Sequence, residues 1–416
     1  MRPRATTHRE RIEMIQQHQA GDSFRQIAEQ MGLHRDTVRS WWRVWQREGW
    51  AGLKPKDRHR PGRGPLSSFD PLVRYGALRL KREHPHWGPD TLLLNLSRRP
   101  SLAGKALPSR SALAAYLQPY LWRIRQHRRA ARRRPASGPV QLQAVHDCWQ
   151  MDFKGSEAVG PCGPVAPFLV TEALTSAPLG VVVHPARRKA LTFRDVQADL
   201  RTVFARWGVP EAIRMDRDPL FVGSSRLEWP GTLLLWLVGL GVMPIVNDPY
   251  RPTQNACVER QGRTWKDDVA VGPAYLSLQA VQAASHQAQA DRLTALPSRN
   301  PACAGRPPLV AQPDLSTPRR PFDPSAEVDL FDFESVELYL SDWSWVRQVD
   351  KIGYISLADQ NVSVGRAYYR QAVEVVYDLE NHAFTAYTLD HSPSILRQFS
   401  LDVVTPSYIV GVSETV

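Results

Sequence analysis

The stretch PYRPTQNACVERQGRTWKDD, residues 249–268, sets one carboxylate, Glu259, among Asn, Arg, Gln, Trp and Lys. Two further acids end apolar stretches upstream, Asp152 in CWQMDFKG and Asp216 in AIRMD, with 63 residues between them and 42 between Asp216 and Glu259. Three carboxylates brought together without His or Cys form an all-oxygen set, which suits Mg²⁺ or Mn²⁺. Two such ions held about 3.5–4 Å apart activate a nucleophile and stabilise the leaving oxygen of a phosphodiester. A helix beginning near Thr253–Gln254 puts Arg263 and Lys266 on the face of Glu259, one and two turns on, where they can grip phosphates. The plainer reading is that each acid is a surface charge and that Glu259 and Arg263 form an i,i+4 pair worth about 0.2–0.5 kcal/mol.

A shared site requires elements that bring distant residues together. Between residues 145 and 298 the pattern reads strand (CWQMDFKG), strand (FLVTEAL), strand (PLGVVVHPA), helix (TFRDVQADLRTVFARWG, ending at Gly208), strand (AIRMD), helix (TLLLWLVGLG), strand (MPIVND) and helix. That order predicts a mixed α/β domain whose central sheet is covered on both sides. Strand ends gather sites, and Asp152 and Asp216 fall at or near them. Three Pro/Arg-rich stretches, 53–65, 128–139 and 299–324, read as linkers and divide the chain into four domains: 1–52, 66–127, 145–298 and 325–410.

Charge assigns the first two segments a partner. Residues 1–140 carry 29 Lys and Arg against 10 Asp and Glu, a net of +19, which leaves −7 for the remainder of a 416-residue chain of net +12. A basic first third on a mildly acidic body reads as a nucleic-acid-binding arm attached to other domains. In SFRQIAEQMGLHRDTVRSWWRVWQREG, the apolar residues Ile27, Met31, Leu33, Val38 and Trp41 describe two helices. Ala28 is small enough for their crossing and Gly32 permits the turn between them. The second helix, roughly Arg35–Arg47, then presents His34, Arg35, Thr37, Arg39 and Arg43 to a major groove. Residues 66–127 predict three more amphipathic helices, a second helix-turn-helix or winged module whose third helix starts at Pro108–Ser109 and carries Arg110. The following run RIRQHRRAARRRP could track phosphates or act as a solvated linker. Period-two stretches such as YISLADQNVSVG and AVEVVYDL predict a small β-barrel at 325–410, read as a protein-contact or assembly module.

WQMDFKG, IRMDRDPLF and YRPTQNACVERQGRTWK, in that order, resemble the catalytic domain of the DDE transposase and retroviral integrase superfamily over about residues 145–300. Helix-turn-helix modules before it and a small β-barrel after it are similar to the layout of bacterial insertion-sequence transposases and Mu transposase. The resemblance implies an RNase H-like fold with Asp152, Asp216 and Glu259 as catalytic metal ligands, two Mg²⁺ or Mn²⁺ ions per site, and 3′-end cleavage of transposon-end DNA. Joining of the new 3′-OH to target DNA would follow, with no covalent protein–DNA intermediate. It also implies a homo-oligomer on DNA, an ATPase target selector as a candidate partner, and a bacterial cytoplasmic location at the nucleoid. Two departures stand out. Asp216-Arg217-Asp218 replaces Asp-Asn-Gly, with Phe221 five residues after Asp216 favouring Asp216 as the ligand over Asp218. Asn255-Ala256 replaces Asn-Gly, and Ala256 is expected to cost backbone freedom at that turn.

Cys148, Cys162, Cys257 and Cys303 are scattered, without a Cys-x-x-Cys pair, and predict neither a disulfide framework nor a zinc site. The N-terminus lacks the apolar core of a secretory signal. The apolar run GTLLLWLVGLGVMPIV is too short and glycine-broken to span a bilayer, so an intracellular, membrane-free protein is expected. Two other functions compete with transposition: a site-specific DNA-binding protein or repressor whose catalytic fold is only scaffold, and a nuclease that cuts without joining.

Overall fold

Near the N-terminus of the computed structural model, three helices pack around an apolar centre: α1 (His8–Gln19), α2 (Phe24–Met31) and α3 (Arg35–Glu48). The structure describes residues 6–54, 64–84, 87–118, 142–186, 191–224, 228–248, 252–271, 274–389 and 393–411. Thr7 and Glu10 close a capping box on α1, and Ser23 and Gln26 do the same on α2. Gly32 ends α2 in the left-handed region at φ 63°, which gives the chain its turn into α3. Met14, Ile27, Ala28 and Val38 form the core, with Met31, Leu33 and Trp41 packed on it. All of these except Met14 of α1 are positions that the sequence pattern singles out.

Three further helices follow, α4 (Pro71–Glu83), α5 (Pro89–Ser97) and α6 (110–118), with no strand among the described residues of 64–118. The basic run after α6 lies outside the described residues. Downstream, the strands are β1 (Cys148–Phe153), β2 (Glu157–Ala158), β3 (Pro164–Glu172) and β4 (Pro178–Pro185), then β5 (Ala212–Met215) and β6 (Met243–Val246). The sheet runs β4–β3–β1–β5–β6, with β2 pairing to the start of β3. β1 is antiparallel to β3 and parallel to β5, and β5 is parallel to β6.

Helices cover both faces of this sheet. On one lie α7 (Phe193–Trp207), α8 (Pro219–Val222) and α9 (Thr232–Gly239), where Phe204 meets both Trp149 and Trp236. On the other, α10 (Ala256–Trp265) and α11 (Leu278–Thr294) bury Val258, Trp265 and Val281 against Val165, Leu169 and Val183. Covered on both sides, β1 and β3 are almost continuously buried rather than alternating. The sequence pattern finds every one of these elements except β2, α8 and α11. In α11 the buried residues are Val281, Ser285, Gln289 and Leu293, so its stripe is half polar and carries little hydrophobic period.

The expected β-barrel is not what forms. The strands β7 (Ser344–Gln348), β10 (Ala372–Asp378), β11 (Ala383–Thr388) and β12 (Ile395–Phe399) make an open antiparallel sheet in the order β12–β11–β10–β7. A separate hairpin, β8 (Tyr354–Leu357) with β9 (Gln360–Ser363), takes the remaining strands, and among the described residues no closed barrel results. One face of the open sheet is covered by α4 instead of by further strands. Arg74 of α4 is buried against Asp378 of β10 at 2.8 Å, and Tyr75 stacks on Tyr387 at 3.9 Å.

The chain folds as two compact units, one of residues 1–54, 139–333 and 406–416, the other of 55–138 and 334–405. The helices after the first linker and the C-terminal sheet therefore share a unit, although more than 200 residues lie between them.

Candidate active site

β1 and β5 are in register through Cys148↔Ala212, Trp149↔Ile213 and Gln150↔Arg214. Continuing that offset sets Asp152 beside Asp216, the residue just past the end of β5. Because side chains alternate along a strand, Asp152 shares a sheet face with Gln150, and α10 lies on that face. The Gln150 side chain fixes the helix there: its Oε1 accepts the backbone N–H groups of Cys257 at 2.9 Å and Val258 at 3.2 Å. Asn255 adds a bond from Nδ2 to the Met151 carbonyl at 3.2 Å. Two of the unpaired N–H groups at the start of α10 are thus satisfied by the strand that carries Asp152. Glu259 follows directly, in the first turn of α10.

On the reverse face, Phe153 stacks on Phe221 at 5.7 Å between ring centres. That contact holds the turn after Asp216 against the end of β1. Asp216 accepts the N–H of Asp218 at 3.0 Å, and Asp218 in turn caps α8 by accepting the N–H of Leu220 at 3.0 Å. Asp218 is the N-cap of α8, whereas Asp216 closes the turn before it.

Asp152 and Glu259 line one cavity of about 270 Å³, together with Lys154, Gly262 and Arg263. Gly262 lets α10 approach closely, since a Cβ there would meet Lys154 Cδ at 3.0 Å. Burial, then the neighbouring Asp216, push the Asp152 carboxyl up to about 7, with Glu259 and Asp218 adding to the rise against a backbone N–H that lowers it. Several like charges in one partly dry cleft raise the proton affinity of the most enclosed member. The donor set is all oxygen and fits a hard divalent cation. Among the described residues, however, no three His, Cys, Asp or Glu side chains stand at a spacing that holds one ion. Asp152 and Glu259 share the cleft and Asp216 adds its field to Asp152, but the three do not form a coordination sphere. A larger cavity of about 400 Å³ lies against the opposite side of α10, at Cys257, Arg260, Gln261 and Thr264, and includes none of the three acids.

Two expectations about this helix change. Ala256 is its first residue and is not among the positions with positive φ, so alanine costs no backbone strain there. The Pro-Tyr-Arg part of the preceding turn lies outside the described residues. Lys266 is not a second free grip beside Arg263: α-helical geometry ends at Trp265, a π-helical turn Lys266–Ala270 follows, and Lys266 Nζ sits 2.8 Å from Glu157. Lys154 Nζ approaches the same carboxylate at 3.3 Å. Burial raises the Glu157 carboxyl, but the two lysines, Lys266 foremost, outweigh it and leave it below its usual range. Sequence reasoning missed Gln150, Lys154 and Glu157. A polar residue two before Asp152 inside a buried strand was the available signal for Gln150.

On the helix-turn-helix, His34, Arg35, Arg39 and Arg43 are exposed along α3 and Thr37 is half-buried. His34 caps α3 through Nδ1, which accepts the N–H of Asp36 at 3.3 Å, and the Asp36 carboxylate approaches both His34 and Arg35. In the other unit, Ser109 caps α6 by accepting the Ala112 N–H at 3.2 Å, and Arg110 is paired with Asp90 at 3.1 Å with both side chains exposed.

Residues 10–62 match the helix-turn-helix domain family. Among solved structures, the chain is similar to the HTLV-2 integrase catalytic core domain in complex with magnesium (trimeric form), at 12% identity over 41% of this chain and 99% of that one, with a TM-score of 0.31. It is also similar to the catalytic core domain of BIV integrase, at 21% identity over 41% of this chain and 95% of that one, with a TM-score of 0.28. The N-terminal segment is thus a helix-turn-helix domain, and the similar solved structures are retroviral integrase catalytic cores.

Proposed function

We propose that the chain is a DDE-type DNA transposase that binds transposon ends, cuts them at the 3′ ends and joins the new 3′-OH to target DNA. The observation that carries the reading is that Asp216 and Glu259, each distant in sequence from Asp152, both act on its carboxyl, and Glu259 lines one cavity with it. The helix-turn-helix domain supports double-stranded DNA as the partner, through His34, Arg35, Thr37, Arg39 and Arg43. Ser109 and Arg110 belong to the same proposal as a second DNA contact, with Ser109 also serving as a helix cap.

Asp152, Asp216 and Glu259 are the residues that would hold two Mg²⁺ or Mn²⁺ ions. Bound there, the ions would supply the Lewis acidity that phosphoryl transfer needs. The chain's own residues do the positioning. Gln150 keeps the Glu259 helix on the Asp152 strand, Arg263 faces the scissile phosphate from the cleft wall, and the Phe153–Phe221 stack fixes the Asp216 turn. Both steps are phosphoryl transfers at one site, so no side-chain nucleophile is required. Assembly as a homo-oligomer on paired ends, an ATPase that selects the target, and action at the bacterial nucleoid in the cytoplasm complete the proposal. Among the described residues no helix is long and apolar enough to cross a membrane.

A second reading, a DNA-binding protein or repressor with a silent catalytic fold, is favoured by the absence of a ready three-ligand set among the described residues. Incubation of the full chain with Mg²⁺ and labelled DNA from the sequence flanking its gene separates the two. The transposase yields 3′ nicks and joined products, whereas the repressor binds the ends and leaves them intact.

A further inference from the structure

Lys154 creates a problem for a metal site. It lies two residues from Asp152, just past the end of β1, and it lines the cleft that holds Asp152 and Glu259. A lysine stem of four carbons lets a free ammonium reach neighbouring carboxylates, and an ammonium bound there competes directly with a divalent cation. In the structure it does not go there. Its Nζ is drawn instead to Glu157, 3.3 Å away, whose side chain is only 12% exposed. Glu157 is held in turn from the α10 side by Lys266 at 2.8 Å. The stem of Lys154 runs beside α10, where a Cβ on Gly262 would come to 3.0 Å from its Cδ.

We propose that Glu157 is a positioning residue that holds Lys154 off the Asp152–Glu259 carboxylates, keeping them open to a divalent cation, and fixes Lys154 and Lys266 as a paired cationic rim for DNA phosphate. The inference rests on the metal-site reading above. It gives Lys266 a role different from that of an independent grip, since its first partner is Glu157 and phosphate meets the two lysines as a set.

The test is Mn²⁺ binding to the full chain without DNA, read from the free-ion EPR signal. Glu157→Gln is expected to weaken Mn²⁺ binding by about tenfold or more, because an unpaired ammonium a few ångströms from the ligands opposes the ion. Glu157→Gln with Lys154→Met should restore binding. Glu157→Gln with Lys266→Met has the same net charge but leaves Lys154 unrestrained, so it should stay weak. Restoration by both double variants would reduce the effect to net charge and overturn the inference, as would equal affinity in Glu157→Gln and the unaltered chain. If the unaltered chain binds no Mn²⁺, or Asp152→Asn binds it equally well, the carboxylate metal site fails and the inference fails with it.

Discussion

Asp152 near the end of β1 and Asp216 just past the end of β5 are electrostatic neighbours, on parallel strands paired in register through Gln150↔Arg214. Parallel pairing makes that adjacency possible across a long interval, because α7 and the strands before it form the crossover between the two ends. Glu259 is then brought in from the side by a helix that the same strand caps. The two aspartates are related by backbone geometry and the glutamate by one glutamine side chain.

The Asp-Arg-Asp sequence makes the choice of second ligand testable. Asn serves about as well as Asp at a helix N-cap, so Asp218→Asn should leave both fold and DNA cleavage near those of the unaltered chain. Asp216→Asn should lower cleavage by at least about 10²-fold, the scale of losing a group that stabilises developing charge in a closed site. Single-turnover nicking rates compare the two. The reverse order would make Asp218 the ligand.

Asp152 carries a pH signature. Its carboxyl stands at about 7 in the folded chain against an ordinary 3.8. The folded state holds this proton more tightly than the unfolded one, so its stabilising contribution is full below about pH 4 and is lost as pH rises through about 7. Asp152→Asn should therefore raise Tm at pH 8 in the absence of metal and change it little at pH 4. Each kcal/mol of relief is worth about 2–4 °C in a unit of this size. Mn²⁺ binding should show the opposite trend, strengthening as pH rises through 7. Melting curves at the two pH values check the first statement.

Gln150 should behave as a positioning residue. Gln150→Leu leaves the N–H groups of Cys257 and Val258 without their acceptor, at a cost of about 1–3 kcal/mol for each buried donor left unmet. A lower Tm and slower nicking are expected, with binding of end DNA by the helix-turn-helix unchanged. Unchanged nicking in a destabilised variant would show that the helix finds its place without this bond.

The α3 residues make a separate prediction. If Arg35 and Arg39 contact phosphate, Arg39→Ala should reduce the slope of log K against log salt by about 0.9. Asp36 lies close to Arg35, so Arg35→Ala should reduce the slope less. Fluorescence anisotropy across a salt series measures both.

What the sequence made legible was local or periodic. The α2–Gly32–α3 turn follows from a small Ala28 at the crossing, a glycine and a helical stripe, and the helix bounds agree to within a residue or so. The order of strands and helices from 148 to 265 follows from runs of apolar residues between turns. Long-range partnership was not legible. Nothing near Lys266 announces that Glu157, far upstream, neutralises it, and nothing in the period-two stretches shows that α4 closes the C-terminal sheet through Arg74 and Asp378. The concern over Ala256 treated a family glycine as a need for positive φ, whereas here the position begins a helix.

The central claim is that the three carboxylates perform phosphoryl transfer, and Glu259→Gln tests it most directly. The variant and the unaltered chain are each given labelled end DNA and Mg²⁺, with end binding and 3′ nicking measured in the same samples. The account predicts equal binding by both, nicking and joining by the unaltered chain, and neither reaction by the variant. A Glu259→Gln protein that still joined DNA would contradict it.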